Sequence, residues 1–78
     1  MDPNFPTVAT CLRKVLGREV SIEPETNIIN DLGLDSLQII EFLLTVEDEL
    51  GVELDFETMD MDALTSVGSF CRFVSAKS

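Results

Sequence analysis

The chain has 78 residues, of which 45% are hydrophobic and 6% aromatic, and its formal net charge is −10. This length allows one small domain spanning residues 1–78, and the apolar content is too high for a disordered segment. The sequence contains no His, which excludes Ser-His and Cys-His catalysis and His-bearing zinc sites, so we expect neither catalytic residues nor a metal site.

Charge is distributed unevenly along the chain. All five Lys and Arg residues lie outside positions 19–71, a stretch that holds fourteen of the fifteen acidic residues. The negative electrostatic field of these acids repels nucleic acid and anionic membranes and favours partners with basic surfaces. The longest apolar run is three residues, and the N-terminal residues lack the basic region and apolar core of a signal peptide. We therefore expect a soluble, cytoplasmic monomer that binds neither nucleic acid nor membrane.

The first predicted helix covers positions 6–16. Its apolar residues follow the spacing of one helix face, Pro6 is tolerated in a first turn, and Gly17 suits the position after the last turn. Residues 18–34 then mix turn formers with single apolar residues, which predicts a long loop held to the core by its own side chains. The residues expected to anchor this loop are Ile22, Ile28, Ile29, Leu32 and Leu34.

The clearest helix is predicted from Ser36 to Leu50, a segment without Gly or Pro. Asp35 is a good N-cap for this helix, and Gly51 can end it. Projecting the segment at 100° per residue places five apolar side chains in one arc, which predicts the face that packs on the core. These residues are Ile39, Phe42, Leu43, Val46 and Leu50.

A second set of apolar residues on the same helix lies outside that arc. Apolar side chains framed by acids are typical of an interface, which predicts a partner surface. The alternative is that the long loop folds over these residues and buries them. We call this second apolar set the apolar stripe; it consists of Leu37, Ile40 and Leu44. We call the acids that frame it the acidic rim; they are Glu41, Glu47 and Asp48.

The remaining elements are shorter. A helical turn is predicted at positions 56–60 with Asp55 as its cap, and a last helix follows positions 65–66. Four apolar residues of that last helix keep helical spacing: Val67, Phe70, Cys71 and Val74. The fold class is therefore all-α, a small bundle of three main helices plus one short helix, with a long first loop.

Two features leave alternatives open. Cys11 and Cys71 are interpreted as core side chains, although a bridge between them is possible if the first and last helices are neighbours. A cluster of acids after the second helix suggests an ion-binding protein, but its spacing does not fit an EF-hand, so we expect at most weak divalent binding. The acids in question are Asp55, Glu57, Asp60 and Asp62.

Ser36 stands at the start of the second predicted helix, where backbone N–H groups and the helix dipole favour an attached anion such as a phosphodiester. No His or Lys lies nearby to activate its hydroxyl, so any modification needs another enzyme. The segment Asp31-Leu32-Gly33-Leu34-Asp35-Ser36-Leu37 resembles the signature of acyl and peptidyl carrier proteins, in which the serine bears 4′-phosphopantetheine. The resemblance continues at positions 47–54 and 65–67.

The resemblance implies a free-standing carrier protein with no catalytic activity of its own. A phosphopantetheinyl transferase would move the arm from coenzyme A to Ser36, and the arm's thiol would carry acyl groups as thioesters. Asp35 would help to dock the transferase. The apolar stripe and the acidic rim would meet basic docking surfaces of acyl-loading and acyl-processing enzymes. We expect Glu41→Lys combined with Glu47→Lys to slow delivery to partners with the fold intact.

The sequence departs from fatty-acid carriers at two places. Gln38 stands where they usually have an acid, and Leu54-Asp55 replaces their apolar-Pro pair. These departures favour a polyketide or other specialised-metabolite pathway over fatty-acid synthesis. A peptidyl or aryl carrier for an aminoacyl or aryl cargo is an alternative. An unmodified acidic helical adaptor is an alternative of a different class, and it would tolerate Ser36→Ala.

Overall fold

The structure is a computed structural model, and it describes residues 3–54, 59 and 61–77. Over these ranges it contains three α-helices, one short 3₁₀ helix and no strand. The α-helices are α1 (Phe5–Leu16), α2 (Ser36–Leu50) and α3 (Val67–Lys77), and the 3₁₀ helix covers Met61–Leu64. The predicted all-α class is confirmed.

Helix α1 begins one residue before its predicted start and ends at the predicted position. Gly17 follows it in the left-handed conformation, with φ of 72°, and its N–H donates to the Arg13 carbonyl oxygen. A residue without Cβ adopts this conformation at no steric cost, so the chain can leave the helix sharply.

The core is built from the inward faces of the helices. Helix α1 packs against both α2 and α3, and the Phe42 ring of α2 meets the Phe70 ring of α3 with 4.8 Å between centroids. Each fully buried side chain of this size contributes about 1.5–3 kcal/mol relative to an exposed one. Four of the five residues predicted for the core face of α2 are buried: Ile39, Phe42, Leu43 and Val46. Leu50 is partly buried and packs at the edge of the core.

Two polar contacts give the helix directions. The Asn4 amide, just before α1, donates to the hydroxyl of Ser75 near the end of α3, at 3.0 Å. Helices α1 and α3 therefore run antiparallel. The Lys14 ammonium near the end of α1 lies 3.2 Å from the carboxylate of Glu49 near the end of α2. The C-terminal ends of α1 and α2 thus lie together, and the long loop has to return the chain to the start of α2.

The long loop is anchored as predicted. Ile22, Ile28 and Leu34 are buried in the core, and Ile29 and Leu32 are partly buried against it. Hydrogen bonds add a second anchor, because the first two N–H groups of α3 donate to loop carbonyl oxygens. The Val67 N–H reaches the Thr26 oxygen at 2.9 Å, and the Gly68 N–H reaches the Pro24 oxygen at 2.8 Å. These bonds satisfy N–H groups that have no partner within a helix.

The segment between α2 and α3 differs from expectation. The turn predicted at positions 56–60 lies outside the described residues, apart from Met59, which is buried. The described short helix comes next, at Met61–Leu64, and it buries Ala63 and Leu64. The sequence interpretation placed no helix at these four positions.

Cys11 and Cys71 are both thiols, and both are buried in the core. The prediction that they serve as core side chains is confirmed, and no disulfide joins them. None of the described helices has the length and apolar character needed to cross a membrane.

Candidate functional site

The start of α2 is fixed by a reciprocal pair of hydrogen bonds. Asp35 has extended backbone angles, and its Oδ1 accepts the backbone N–H of Gln38 at 2.8 Å. In return, the Gln38 side-chain Oε1 accepts the backbone N–H of Asp35 at 3.2 Å. The prediction of Asp35 as N-cap is confirmed. The sequence interpretation gave Gln38 no such role, although an N-cap residue followed three positions later by Gln is the pattern of a capping box.

Ser36 is the first residue of α2, and its side chain is exposed. Buried residues hold the chain on both sides of it, since Leu34 and Ile39 are 5% and 6% exposed. The first turn of α2 itself contains no acidic residue, and the carboxylate at this helix N-terminus is that of the N-cap Asp35. An accessible hydroxyl in this position fits a phosphodiester linkage.

The loop before Ser36 is organised by Asn27. The Asn27 Oδ1 accepts the N–H groups of Ile29 and Asn30, at 2.9 and 2.7 Å. The Asn27 N–H donates to the carboxylate of Asp31 at 2.8 Å, and the Asp31 N–H donates to the Asn27 carbonyl oxygen at 2.9 Å. Asp31, the first acid of the carrier-like signature, therefore shapes the loop segment that leads to the exposed Ser36.

The apolar stripe is open to solvent. Leu37, Ile40 and Leu44 are 66%, 41% and 59% exposed, so the alternative in which the long loop buries them is wrong. Met61 of the 3₁₀ helix is a further large apolar residue with high exposure, 55%. The sequence interpretation missed it because the short helix was expected to end at position 60.

The three acids of the rim differ in their surroundings. Glu41 and Asp48 are exposed. Glu47 is partly buried, and its Oε2 accepts the backbone N–H of Leu54 at 2.7 Å. Two members of the rim are therefore open carboxylates, whereas the third also holds the chain that leaves α2.

An open groove of about 490 Å³ lies elsewhere, around the C-terminal end of α1. Two of its three cations have partners within the protein: the Arg13 Nε donates to the Val20 carbonyl oxygen at 3.0 Å, and Lys14 pairs with Glu49. Because Glu49 lies near the C-terminal end of α2, this groove is at the opposite end of that helix from Ser36. It has no part in the site at Ser36.

Metal binding has no support from the described part of the chain. Among residues 3–54, 59 and 61–77, no group of three or more His, Cys, Asp or Glu side chains could hold an ion. Three of the four acids considered for weak divalent binding, Asp55, Glu57 and Asp60, lie outside the described residues. The fourth, Asp62, is exposed in the 3₁₀ helix.

Comparison with known proteins gives two results. Residues 6–74 match the family model described as the phosphopantetheine attachment site. Over 74 residues, the chain is 30% identical to the acyl carrier protein of Thermotoga maritima, and the match covers 94% of this chain and 89% of that protein. Both matches extend over nearly the whole chain, from α1 to α3.

Proposed function

Because the chain belongs to the acyl and peptidyl carrier protein family, whose cofactor is covalently attached 4′-phosphopantetheine, we propose that Ser36 receives this group. The observation that carries the proposal is the exposed Ser36 hydroxyl at the start of α2, between the buried anchors Leu34 and Ile39. When attached, the arm supplies a thiol on which acyl groups travel as thioesters. Family membership favours this carrier role over the unmodified adaptor.

The residues of this chain would present the serine and leave its activation to a partner. The chain has no His, and no Lys or Arg lies between positions 19 and 71, so no imidazole, amine or guanidinium of its own is close in sequence to Ser36. A phosphopantetheinyl transferase would therefore supply the groups that remove the hydroxyl proton. Asp35, whose Oδ1 caps α2, would offer its carboxylate to the same enzyme.

The surface next to Ser36 suits enzymes with basic docking surfaces. The exposed stripe of α2 would supply apolar contacts, and the rim would supply negative charge that steers the encounter. The proposed partners are the transferase and the enzymes that load and process the acyl group. The docking residues would be Asp35, Leu37, Ile40, Glu41, Leu44, Glu47 and Asp48.

The proposed cargo is an acyl group of a fatty-acid, polyketide or specialised-metabolite pathway. Gln38 and the pair Leu54-Asp55, which depart from the pattern of fatty-acid carriers, favour a specialised pathway. The related alternative is a peptidyl or aryl carrier, which would use the same serine and arm for an aminoacyl or aryl cargo. Cytoplasmic placement belongs to the same proposal, since two unbridged cysteines suit a reducing compartment.

Site mapping tests the proposed attachment residue. The chain is incubated with coenzyme A, magnesium and a promiscuous phosphopantetheinyl transferase, digested, and analysed by tandem mass spectrometry. We expect the added group on Ser36. Ser66 provides a comparison, because this serine also stands at the start of a helix, where its hydroxyl accepts the Ser69 N–H. The group on Ser66 or another serine, with Ser36 unmodified, would contradict the proposal.

A further inference from the structure

We infer that Gln38 is a positioning residue for the modification of Ser36, acting through its hydrogen bond to the backbone N–H of Asp35. This inference rests on the proposed attachment at Ser36. Gln38 does not need to touch the transferase or coenzyme A for this role, since it acts on the segment that carries the hydroxyl.

The segment that presents Ser36 is short and exposed. Asp35, Ser36 and Leu37 are all exposed, whereas Leu34 and Ile39 on either side are buried. Side-chain packing therefore fixes the ends of this segment and leaves its middle to hydrogen bonds. Gln38 is the first residue after the serine that is partly buried, and its amide oxygen is the acceptor for the Asp35 N–H.

The two bonds of the capping box act on opposite sides of the serine. The Asp35 Oδ1 holds the Gln38 N–H inside the first turn, at 2.8 Å, and the Gln38 Oε1 holds the Asp35 N–H before that turn, at 3.2 Å. The Asp35 N–H belongs to the Leu34–Asp35 peptide and the Gln38 N–H to the Leu37–Gln38 peptide, so the two bonds hold the backbone on either side of Ser36. Without the Gln38 oxygen, water can replace the bond to the exposed Asp35 N–H, but water does not fix the direction of the Leu34–Asp35 peptide, which leads into Ser36. Losing the Gln38 oxygen should therefore change mainly the orientation of the backbone that presents Ser36.

The direction of the backbone next to Ser36 matters because group transfer needs the reacting atoms about 3–3.5 Å apart and aligned. A serine hydroxyl on a frayed first turn reaches that arrangement less often. The rest of α2 would stay in place, since Ile39, Phe42 and Val46 bury that helix in the core. The effect of losing the Gln38 oxygen should therefore appear in the rate of modification far more than in the stability of the fold.

The test compares four chains in their unmodified form: wild type, Gln38→Ala, Gln38→Glu and Thr45→Ala. Gln38→Glu keeps an acceptor oxygen at the same reach. Thr45→Ala removes a different side-chain bond of α2, from the Thr45 hydroxyl to the Glu41 carbonyl oxygen. For each chain, kcat and KM are measured with coenzyme A and a promiscuous transferase, and exchange of the Asp35 amide is followed by NMR.

We expect Gln38→Ala to lower kcat/KM about fivefold, the equivalent of one hydrogen bond's net contribution, with most of the loss in kcat. The Asp35 amide should exchange faster in this variant. Gln38→Glu should stay within about twofold of wild type in both readouts, and so should Thr45→Ala.

Three results would overturn the inference. The first is a Gln38→Ala chain with wild-type kinetics, the second is a Gln38→Glu chain as slow as Gln38→Ala, and the third is an equal loss in Thr45→Ala. A wild-type chain that accepts no group would instead contradict the proposed function itself. The failure of the inference and the failure of the proposed function are thereby distinguished.

Discussion

The carboxylate of Glu47 accepts a hydrogen bond from the backbone N–H of Leu54, with 2.7 Å between Oε2 and N. This bond joins the last turns of α2 to the chain beyond Gly51, and it gives a residue of the acidic rim a structural role. Replacing Glu47 with Lys would remove the acceptor as well as the charge. Glu47→Lys should therefore lower the stability of the fold as well as reverse the charge, whereas the expectation that Glu41→Lys combined with Glu47→Lys leaves the fold intact stays a prediction.

The Glu47 bond predicts a difference in stability between two acids of the rim. Glu47→Ala should lower the free energy of unfolding by about 1–2 kcal/mol, because the Leu54 N–H loses its partner in a partly buried position. Glu47→Gln keeps an acceptor oxygen, so its free energy of unfolding should fall by less than that of Glu47→Ala. Glu41→Ala changes an exposed side chain and should stay within about 0.5 kcal/mol of wild type. Urea unfolding measures all three, and equal losses for Glu41→Ala and Glu47→Ala would refute the prediction.

Docking is best tested with the two open acids of the rim. Glu41→Lys combined with Asp48→Lys should raise the transferase KM for the chain and weaken its dependence on salt, because the steering charge is reversed. Glu23→Lys combined with Glu25→Lys is the matched control, since it makes the same change in net charge on exposed loop residues. Transferase kinetics are measured at about 0.01 M and 0.15 M salt. Equal effects of the two double variants would show that net charge, and not this face, governs docking.

Gly68 provides a test of how the long loop is held. A Cβ at this position would lie 3.2 Å from the Pro24 carbonyl oxygen, which accepts the Gly68 N–H. The adjacent bond from Val67 to Thr26 limits how far that oxygen can move. Replacing Gly with Ala inside a helix ordinarily raises the free energy of unfolding by about 1 kcal/mol. For Gly68→Ala we expect this free energy to fall by about 1 kcal/mol instead. Thermal unfolding would then shift down by about 4–8 °C, and an upward shift would contradict the close packing of loop and helix.

The buried cysteines should leave the attached arm as the reactive thiol. Burial, and to a smaller extent the negative charge of Glu49, raise the pKa of the Cys11 thiol, so less thiolate forms at a given pH. Cys71 is buried as well. At pH 8, the native unmodified chain should react slowly with Ellman's reagent, and both thiols should react in urea. The modified chain should gain one fast thiol, and fast reaction of the native unmodified chain would argue against the burial.

The sequence predicted well those features that depend on local pattern. Apolar spacing identified α1 and the core face of α2, while Asp35 and Gly51 marked the ends of α2, because caps and helix faces involve residues a few positions apart. The Glu47–Leu54 bond was not predictable in this way. It depends on the path of the chain after Gly51, which tertiary packing decides.

The role of Gln38 is a different kind of omission. The capping-box pattern, Asp35 followed three positions later by Gln38, is present in the sequence, and the structure shows that the Gln38 amide oxygen accepts the Asp35 N–H. The exposure of the apolar stripe also needed the structure, since a wheel projection shows which residues share a face but not what covers it.

Intact mass after incubation with coenzyme A, magnesium and a promiscuous phosphopantetheinyl transferase is the most direct test of a carrier that uses Ser36. Wild type, Ser36→Ala and Ser66→Ala are compared, and circular dichroism shows that each is folded. We expect a single added phosphopantetheine on wild type and on Ser66→Ala, and none on Ser36→Ala. Addition to Ser36→Ala, or no addition to a folded wild type when a control carrier is modified, would contradict it.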